Sequence, residues 1–267
     1  MLHHRVNGYD MAYIELGEGP PLVCVHGTLG DFRVWSPVLG PLSRQRRVVS
    51  LSLRHFFPEH WDGVGTGYTV DQHVADVTGF IEALGHGPVD LMGHSRGGHI
   101  AFRVAQLRPD LLRRLVLAEP GGDVDASLGP EAAGAPPSFA SRYHAAADRV
   151  RAGDVDGGLM LFSELVGIAW TGVSAAVRQT WRDNAGTLLG QINEQRRSFS
   201  RADAEAIRTP TLFVGGADTT GPLPGVLRAL AAHVRGARAE IIPNARHFMF
   251  EDDPARFCGA VTTFLAG

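Results

Sequence analysis

The stretch VDLMGHSRGGHIAF, residues 89–102, joins a short apolar run to a segment with helical periodicity and sets a serine between two glycines at the seam. If the first half is a strand and the second a helix, Ser95 sits on a tight strand-to-helix turn that lifts its hydroxyl above a sheet. Gly93 and Gly97 then have a purpose, because a side chain at either place would strike the neighbouring strand or helix. The free N–H groups at the helix start favour developing negative charge beside that hydroxyl. In a chain with 33 glycines among 267 residues, a G-x-S-x-G string gains meaning only from its context.

That context is a regular alternation. Short apolar runs stand at YDMAYIEL (9–16), PLVCVHG (21–27), RRVVSLSL (46–53), VDLMG (89–93), LRRLVLAEP (112–120), TLFVGG (211–216) and AEIIP (239–243). Continuous runs bounded by Gly or Pro suit strands buried on both faces of a parallel sheet. Helical patterns lie between them, at 69–85, 96–110, 223–236 and 253–267. In the first of these, Val70, Val74, Val77, Ile81 and Leu84 recur at steps of three and four and share one face. The alternation predicts an α/β fold with a doubly wound, mostly parallel sheet.

After Pro120 the rhythm breaks. A Gly/Ala/Pro-rich loop at 121–138 leads into helix-like segments at 139–152, 154–169, 172–193 and 201–207, with no strand before 211. We read residues 1–120 and 211–267 as the core and 121–210 as a helical cap inserted before the penultimate strands.

Composition narrows the function classes. Hydrophobic residues make up 44% and charged residues 20%, with a formal net charge of −3, so the chain has the make-up of a globular protein without a basic face for nucleic acid or membrane. The two cysteines, Cys24 and Cys258, fall in a strand-like run and a helical pattern and are expected as buried thiols. The N-terminal residues lack the apolar core of a signal peptide, and no stretch has transmembrane length, so a cytoplasmic location is expected. No His, Cys, Asp or Glu spacing resembles a metal site, and no organic cofactor is expected. The glycines of GVGTG (63–67) lack the preceding strand of a dinucleotide fingerprint.

A serine hydroxyl needs a base to act as a nucleophile. Of the 12 histidines, His247 is selected by position, in a loop after a strand and before the last helix, where such a sheet can deliver a base to the turn at Ser95. His94 and His99, beside that turn, read as packing or surface residues.

Three segments, VHG (25–27), GHSRGG (93–98) and ARHFMFEDDPARF (245–257), stand in the order of a capped, esterase-like α/β-hydrolase, and the chain resembles that family over nearly its whole length. The resemblance implies an oxyanion hole formed by the backbone N–H groups of Arg96 and Thr28, with Leu29 the next candidate. It leaves two positions for the acid that orients His247. Glu119 in LVLAEPGG, at the end of the strand before the cap, is preferred, and Asp218 in GGADTTGP is the alternative. Two details favour Glu119. Thr219 and Thr220 stand where the later-loop pattern has an apolar residue. RDNAGTLL (182–189) is similar to a cap stretch of a bacterial subgroup that pairs an earlier Glu-Pro with Ser or Thr in the later loop; lactone hydrolases acting on resorcylic macrolides also use the earlier Glu.

The chain departs from the family in LRHFFPEHWDGVGTG (53–67), a longer aromatic loop in place of the usual short turn. Phe56, Phe57 and Trp61, with Leu29 and the cap residue Trp181, are therefore expected to line a pocket for a moderately sized apolar substrate. The expected function is hydrolysis of an ester or lactone through an acyl-enzyme on Ser95. A carbon–carbon bond hydrolase or perhydrolase with the same three residues remains open, as does a ligand sensor with vestigial turnover. A homodimer is possible.

Overall fold

Along each central strand, neighbouring residues pack on opposite sides of the sheet, which explains why these runs are apolar without alternation. In Pro21–Val25 (β3), Leu22 and Cys24 join one buried cluster while Val23 and Val25 join the other. The computed structural model describes residues 1–129 and 143–267. Within them, eight strands form one sheet. Besides β3 these are Leu2–Val6 (β1), Tyr9–Leu16 (β2), Arg47–Leu51 (β4), Val89–His94 (β5), Leu112–Ala118 (β6), Thr211–Gly216 (β7) and Arg238–Ile242 (β8). The spatial order is β1-β2-β4-β3-β5-β6-β7-β8. Strands β4 to β8 and β3 pair in parallel, and the β1–β2 and β2–β4 pairs are antiparallel.

Helices cover both faces. Ser36–Ser43 (α1) and the C-terminal Pro254–Ala266 bury Val38, Leu42, Phe257 and Val261 on the side of Leu22 and Cys24. Val70–Leu84 (α2), Arg96–Leu107 (α3) and Leu223–His233 bury Val74, Val77, Ile100 and Leu230 on the other. Helix α2 begins where Thr69 Oγ1 accepts the Gln72 N–H at 3.1 Å and ends at Gly85 in the left-handed region, a start and stop written in the sequence.

Two elements have no counterpart in the expected pattern. Strand β1, LHHRV, buries only Val6 well, so it carries no apolar signature. Helix α1, SPVLGPLS, contains Pro41 and starts with a proline in its first turn.

Between β6 and β7 the described residues form helices His144–Arg151 (α4), Val155–Leu165 (α5), Ala175–Asn184 (α6), Thr187–Gln191 (α7) and Arg201–Glu205 (α8). The second half of the Gly/Ala/Pro-rich loop, and the first part of the segment expected at 139–152, lie outside the described residues. The helix expected over 172–193 is two helices, broken at Ala185 and Gly186. A side chain at Gly186 would stand 2.6 Å from Trp61 Cβ, so the break lets the indole lie against the backbone. Both cysteines are free and buried. Among the described residues no helix is long and apolar enough to cross a membrane.

Candidate active site

The turn at residue 95 is as tight as its glycines require. Ser95 has φ 51°, a left-handed conformation that costs a non-glycine residue about 1–3 kcal/mol. The turn is held on every side: Ser95 N–H donates to Ala118 O at 3.0 Å, and Ser95 O accepts from Gly121 N–H at 2.8 Å and His99 N–H at 3.1 Å. A Cβ at Gly97 would lie 2.3 Å from His26 O, and one at Gly93 would lie 2.3 Å from Gly97 O. Residue 121 also approaches the hydroxyl, since a Cβ there would be 3.3 Å from Ser95 Oγ.

His247 follows β8 on a loop that Gly216 draws inward; a Cβ at 216 would meet Ala245 O at 2.3 Å. The His247 ring is buried, and its Nδ1 lies 2.7 Å from Glu119 Oε2. The other carboxylate oxygen, Oε1, accepts the Gly216 N–H at 2.9 Å, so both Glu119 oxygens are occupied. Glu119 itself takes φ 40°, and its own N–H donates to Val214 O at 3.0 Å. The backbone thus leaves β6 turned so that the carboxylate lies across the end of β7. Asp218 lies elsewhere: it is exposed, its N–H donates to Ala245 O at 2.9 Å, and its charge acts on Arg246. Of the two candidate acids, Glu119 is the one the structure brings to the histidine ring.

His94 packs against His247 with ring centroids 4.4 Å apart and lies 2.9 Å through Nε2 from His247 O, which requires the proton on Nε2. Burial, reinforced by the neighbouring His247, pushes its pKa well below the usual histidine value, so it stays neutral. His99 is likewise buried and neutral, with Nδ1 3.1 Å from Gly121 O. Both are interior groups that fix backbone around the elbow.

Around the expected oxyanion donors, Gly27 touches the serine closely, a Cβ there standing 3.0 Å from Ser95 Cβ. Thr28 is buried, and its hydroxyl donates to Gln191 Oε1 at 2.9 Å. The Arg96 side chain is also buried, where Nη2 donates to Glu194 Oε1 at 2.5 Å and to His73 Nδ1 at 2.8 Å, and the guanidinium sits 4.8 Å above the Tyr68 ring. Burial pulls Arg96 down, but Glu194 outweighs it and holds the guanidinium charged. Burial likewise raises the Glu194 carboxyl, yet Arg96 and Arg196 more than offset this and keep it below the ordinary value. Removing one partner of such a pair strands a buried charge, at a cost of about 3–5 kcal/mol.

Ser95 and His247 open on a void of about 20 Å³, lined also by Tyr143, Leu165, Val166, Thr220, Pro222 and Leu223. That is room for about one water molecule. The aromatic residues expected at the pocket lie elsewhere. Phe56 is wholly buried against His26, Tyr68 and His73; Phe57 lies under the Arg33 guanidinium. Trp61 meets His55 and Tyr68 edge to face and lies against Gly186, and Trp181 packs between Phe162 and Phe248. Leu29, at φ 59°, is buried in the same cluster as Trp181. Long aromatic side chains in a loop indicated burial, but not which side of the loop faces Ser95.

Sequence reasoning missed Glu194, Gln191 and the use of Asn184, whose side chain donates to Asp31 Oδ2 at 2.7 Å and accepts from Phe57 N–H at 2.7 Å. The Asp-Asn-Ala stretch flagged Asn184, but nothing local showed its partners. Among the described residues, no group of three or more His, Cys, Asp or Glu could hold a metal.

A strained serine on a strand-to-helix turn, backed by a buried carboxylate–histidine pair at the strand ends, defines a hydrolase-like site on a parallel sheet. The chain belongs to the alpha/beta hydrolase fold family, whose model matches residues 20–254. It is 27% identical over 266 residues to the mouse (Mus musculus) sn-1-specific diacylglycerol lipase ABHD11, covering 92% of this chain and 81% of that one. It is 26% identical over 277 residues to the (E)-2-((N-methylformamido)methylene)succinate hydrolase of Acinetobacter baylyi, covering 97% and 95%. Among solved structures, the enol-lactonase of Burkholderia xenovorans LB400 superposes with a TM-score of 0.80 at 22% identity, over 99% of this chain and 100% of the other, a likeness of fold.

Proposed function

We propose that the protein is a serine hydrolase that cleaves esters or lactones through an acyl-enzyme on Ser95. The observation that carries this reading is the buried 2.7 Å contact between His247 Nδ1 and Glu119, opening on the same void as the strained Ser95. With Nδ1 committed to the carboxylate, Nε2 is the ring nitrogen left for the serine. Ser95 Oγ attacks the carbonyl carbon as its proton passes to His247 Nε2. The N–H groups of Thr28 and Arg96 hold the oxygen of the tetrahedral intermediate. Collapse breaks the ester C–O bond, and His247 gives its proton to the leaving alcohol. A water then attacks the acyl-enzyme with His247 as base, and the acid leaves as Ser95 regains its proton. Glu119 fixes the imidazole and stabilises its positive form throughout.

Residues 121–210 act as the cap, and the apolar lining from Leu165, Val166 and Leu223 favours an apolar acyl group. Relatives named as a lipase and an enol-lactonase support ester or lactone substrates. The test is Ser95→Ala on p-nitrophenyl esters and a lactone panel. We expect kcat to fall by about 10⁴-fold or more with the melting temperature unchanged. Retained hydrolysis, or wild-type turnover only on carbon–carbon substrates, overturns the reading.

A further inference from the structure

Thr28 lies on the loop after β3 and Arg96 opens α3 directly after the serine, yet their side chains end on one short stretch of the insert. The Thr28 hydroxyl donates to Gln191 Oε1 at 2.9 Å, and Arg96 donates to Glu194 through Nη2 at 2.5 Å and Nε at 3.4 Å. Gln191 closes α7, and Glu194 follows within the next turn of chain. A third tie comes from the end of α6, where Asn184 Nδ2 donates to Leu29 O at 3.3 Å and to Asp31 Oδ2 at 2.7 Å. Asn184, Gln191, Glu194, Thr28 and Arg96 are all buried, so water competes poorly for these bonds. The loop they grip includes Leu29 at φ 59°, a conformation that persists only where its surroundings over-determine it.

We propose that Gln191 and Glu194 are positioning residues for the oxyanion hole, so that the insert builds the catalytic machinery as well as covering it. This rests on the reading in which Ser95 attacks and the Thr28 and Arg96 amides receive the negative charge. Oxyanion donors act only within a few tenths of an ångström of the developing charge, and a misplacement of 1 Å can cost about a hundredfold in rate. The Ser95 backbone beside Arg96 is pinned to β6 at Ala118 O, but neither side chain ends on the sheet. Each amide belongs to a residue whose side chain is tied to the insert, so a movement of α7 away from the core would loosen both donors together.

The experiment is a double-mutant cycle between Thr28→Val, which removes one hydroxyl without changing shape, and Gln191→Leu, which removes its acceptor. Each single variant should lower kcat on a p-nitrophenyl ester about tenfold with KM changed less than about twofold, and the double variant should be no worse than either. Inhibition by a phenylboronate, whose adduct with the serine is tetrahedral, should weaken in the same proportion as kcat/KM. Gln191→Glu, which keeps an oxygen for the Thr28 hydroxyl, should recover part of the loss. Asn193→Ala, at an exposed neighbour whose side chain donates to Leu189 O, serves as the unchanged control. Should Gln191→Leu fail to fold, Thr28→Val carries the same readouts alone. Single variants within twofold of wild type in kcat, or losses that multiply in the double, overturn the proposal while leaving Ser95 labelling by a fluorophosphonate intact. A wild-type chain that takes no phosphonate at Ser95 overturns the underlying reading instead.

Discussion

Strands β6 and β7 run side by side and each releases a carboxylate near its exit, Glu119 after Ala118 and Asp218 after Gly216. The two differ in everything but chemistry. Glu119 is buried, turns back at φ 40°, and spends its two oxygens on the Gly216 N–H and the His247 ring. Asp218 is exposed and hangs beyond a loop that its backbone N–H ties to Ala245 O. A strand end therefore supplies a place for a carboxylate near the histidine, but the backbone turn and one donated N–H decide which carboxylate reaches the ring. Burial also matters, because a carboxylate stabilises an imidazolium far more strongly where water is excluded.

The comparison is broken most directly by Glu119→Gln. The amide keeps the shape and one acceptor but loses the charge that supports protonated His247. We expect kcat/KM for an activated ester to fall by about 10³–10⁴-fold with little change in KM. A Glu119→Gln variant of near wild-type activity would mean that the buried pair is structural and that orientation of His247 comes from elsewhere.

How much of this contrast was legible from sequence depends on the length scale of the signal. The elbow was readable because its glycines, its serine and the flanking periodicities lie within one short stretch. The five inner parallel strands β3 to β7 were readable because burial on both faces makes them largely apolar; the edge strand β8, exposed at four of its five residues, showed only through AEIIP, and β1 did not show at all, since a largely exposed edge strand needs no apolar residues. Which carboxylate lies against His247 was readable only as a choice between two positions, because it turns on φ at Glu119 and on where the Gly216 N–H points. That Phe56 and Trp61 lie away from the void at Ser95 was hidden for a related reason: both are aromatic and partly or wholly buried, but burial in the core and burial against substrate look alike in a sequence. The ties of Thr28 and Arg96 to Gln191 and Glu194 span long intervals of chain and left no local trace.

A second test perturbs the contrast without touching either acid. In Gly216→Ala the added Cβ would stand 2.3 Å from Ala245 O and 2.5 Å from Arg246 O, both backbone atoms that cannot swing aside as a side chain would. The His247 loop must move outward, and the N–H that orients Glu119 must move with it. We expect kcat to fall about ten- to a hundredfold, more than KM changes, together with a lowered melting temperature. Full activity in Gly216→Ala would show that the histidine loop tolerates displacement and that the close contact at 216 is incidental.

The smallest effect is expected at the exposed member of the pair. Asp218→Asn removes a charge that acts on Arg246, but Arg246 keeps Asp252, which accepts its backbone N–H at 2.7 Å and its Nη2 at 2.8 Å. What Asp218 adds there crosses solvent and is screened by salt. We therefore expect kcat/KM within about twofold of wild type and stability within about 0.5 kcal/mol, measured by ester hydrolysis and urea unfolding in 0.15 M salt. If Asp218→Asn instead lowered kcat as far as Glu119→Gln, the β7 loop would have to refold around bound substrate and carry Asp218 to the histidine. That outcome would replace a fixed division between the two strand ends with an exchange of acids during turnover.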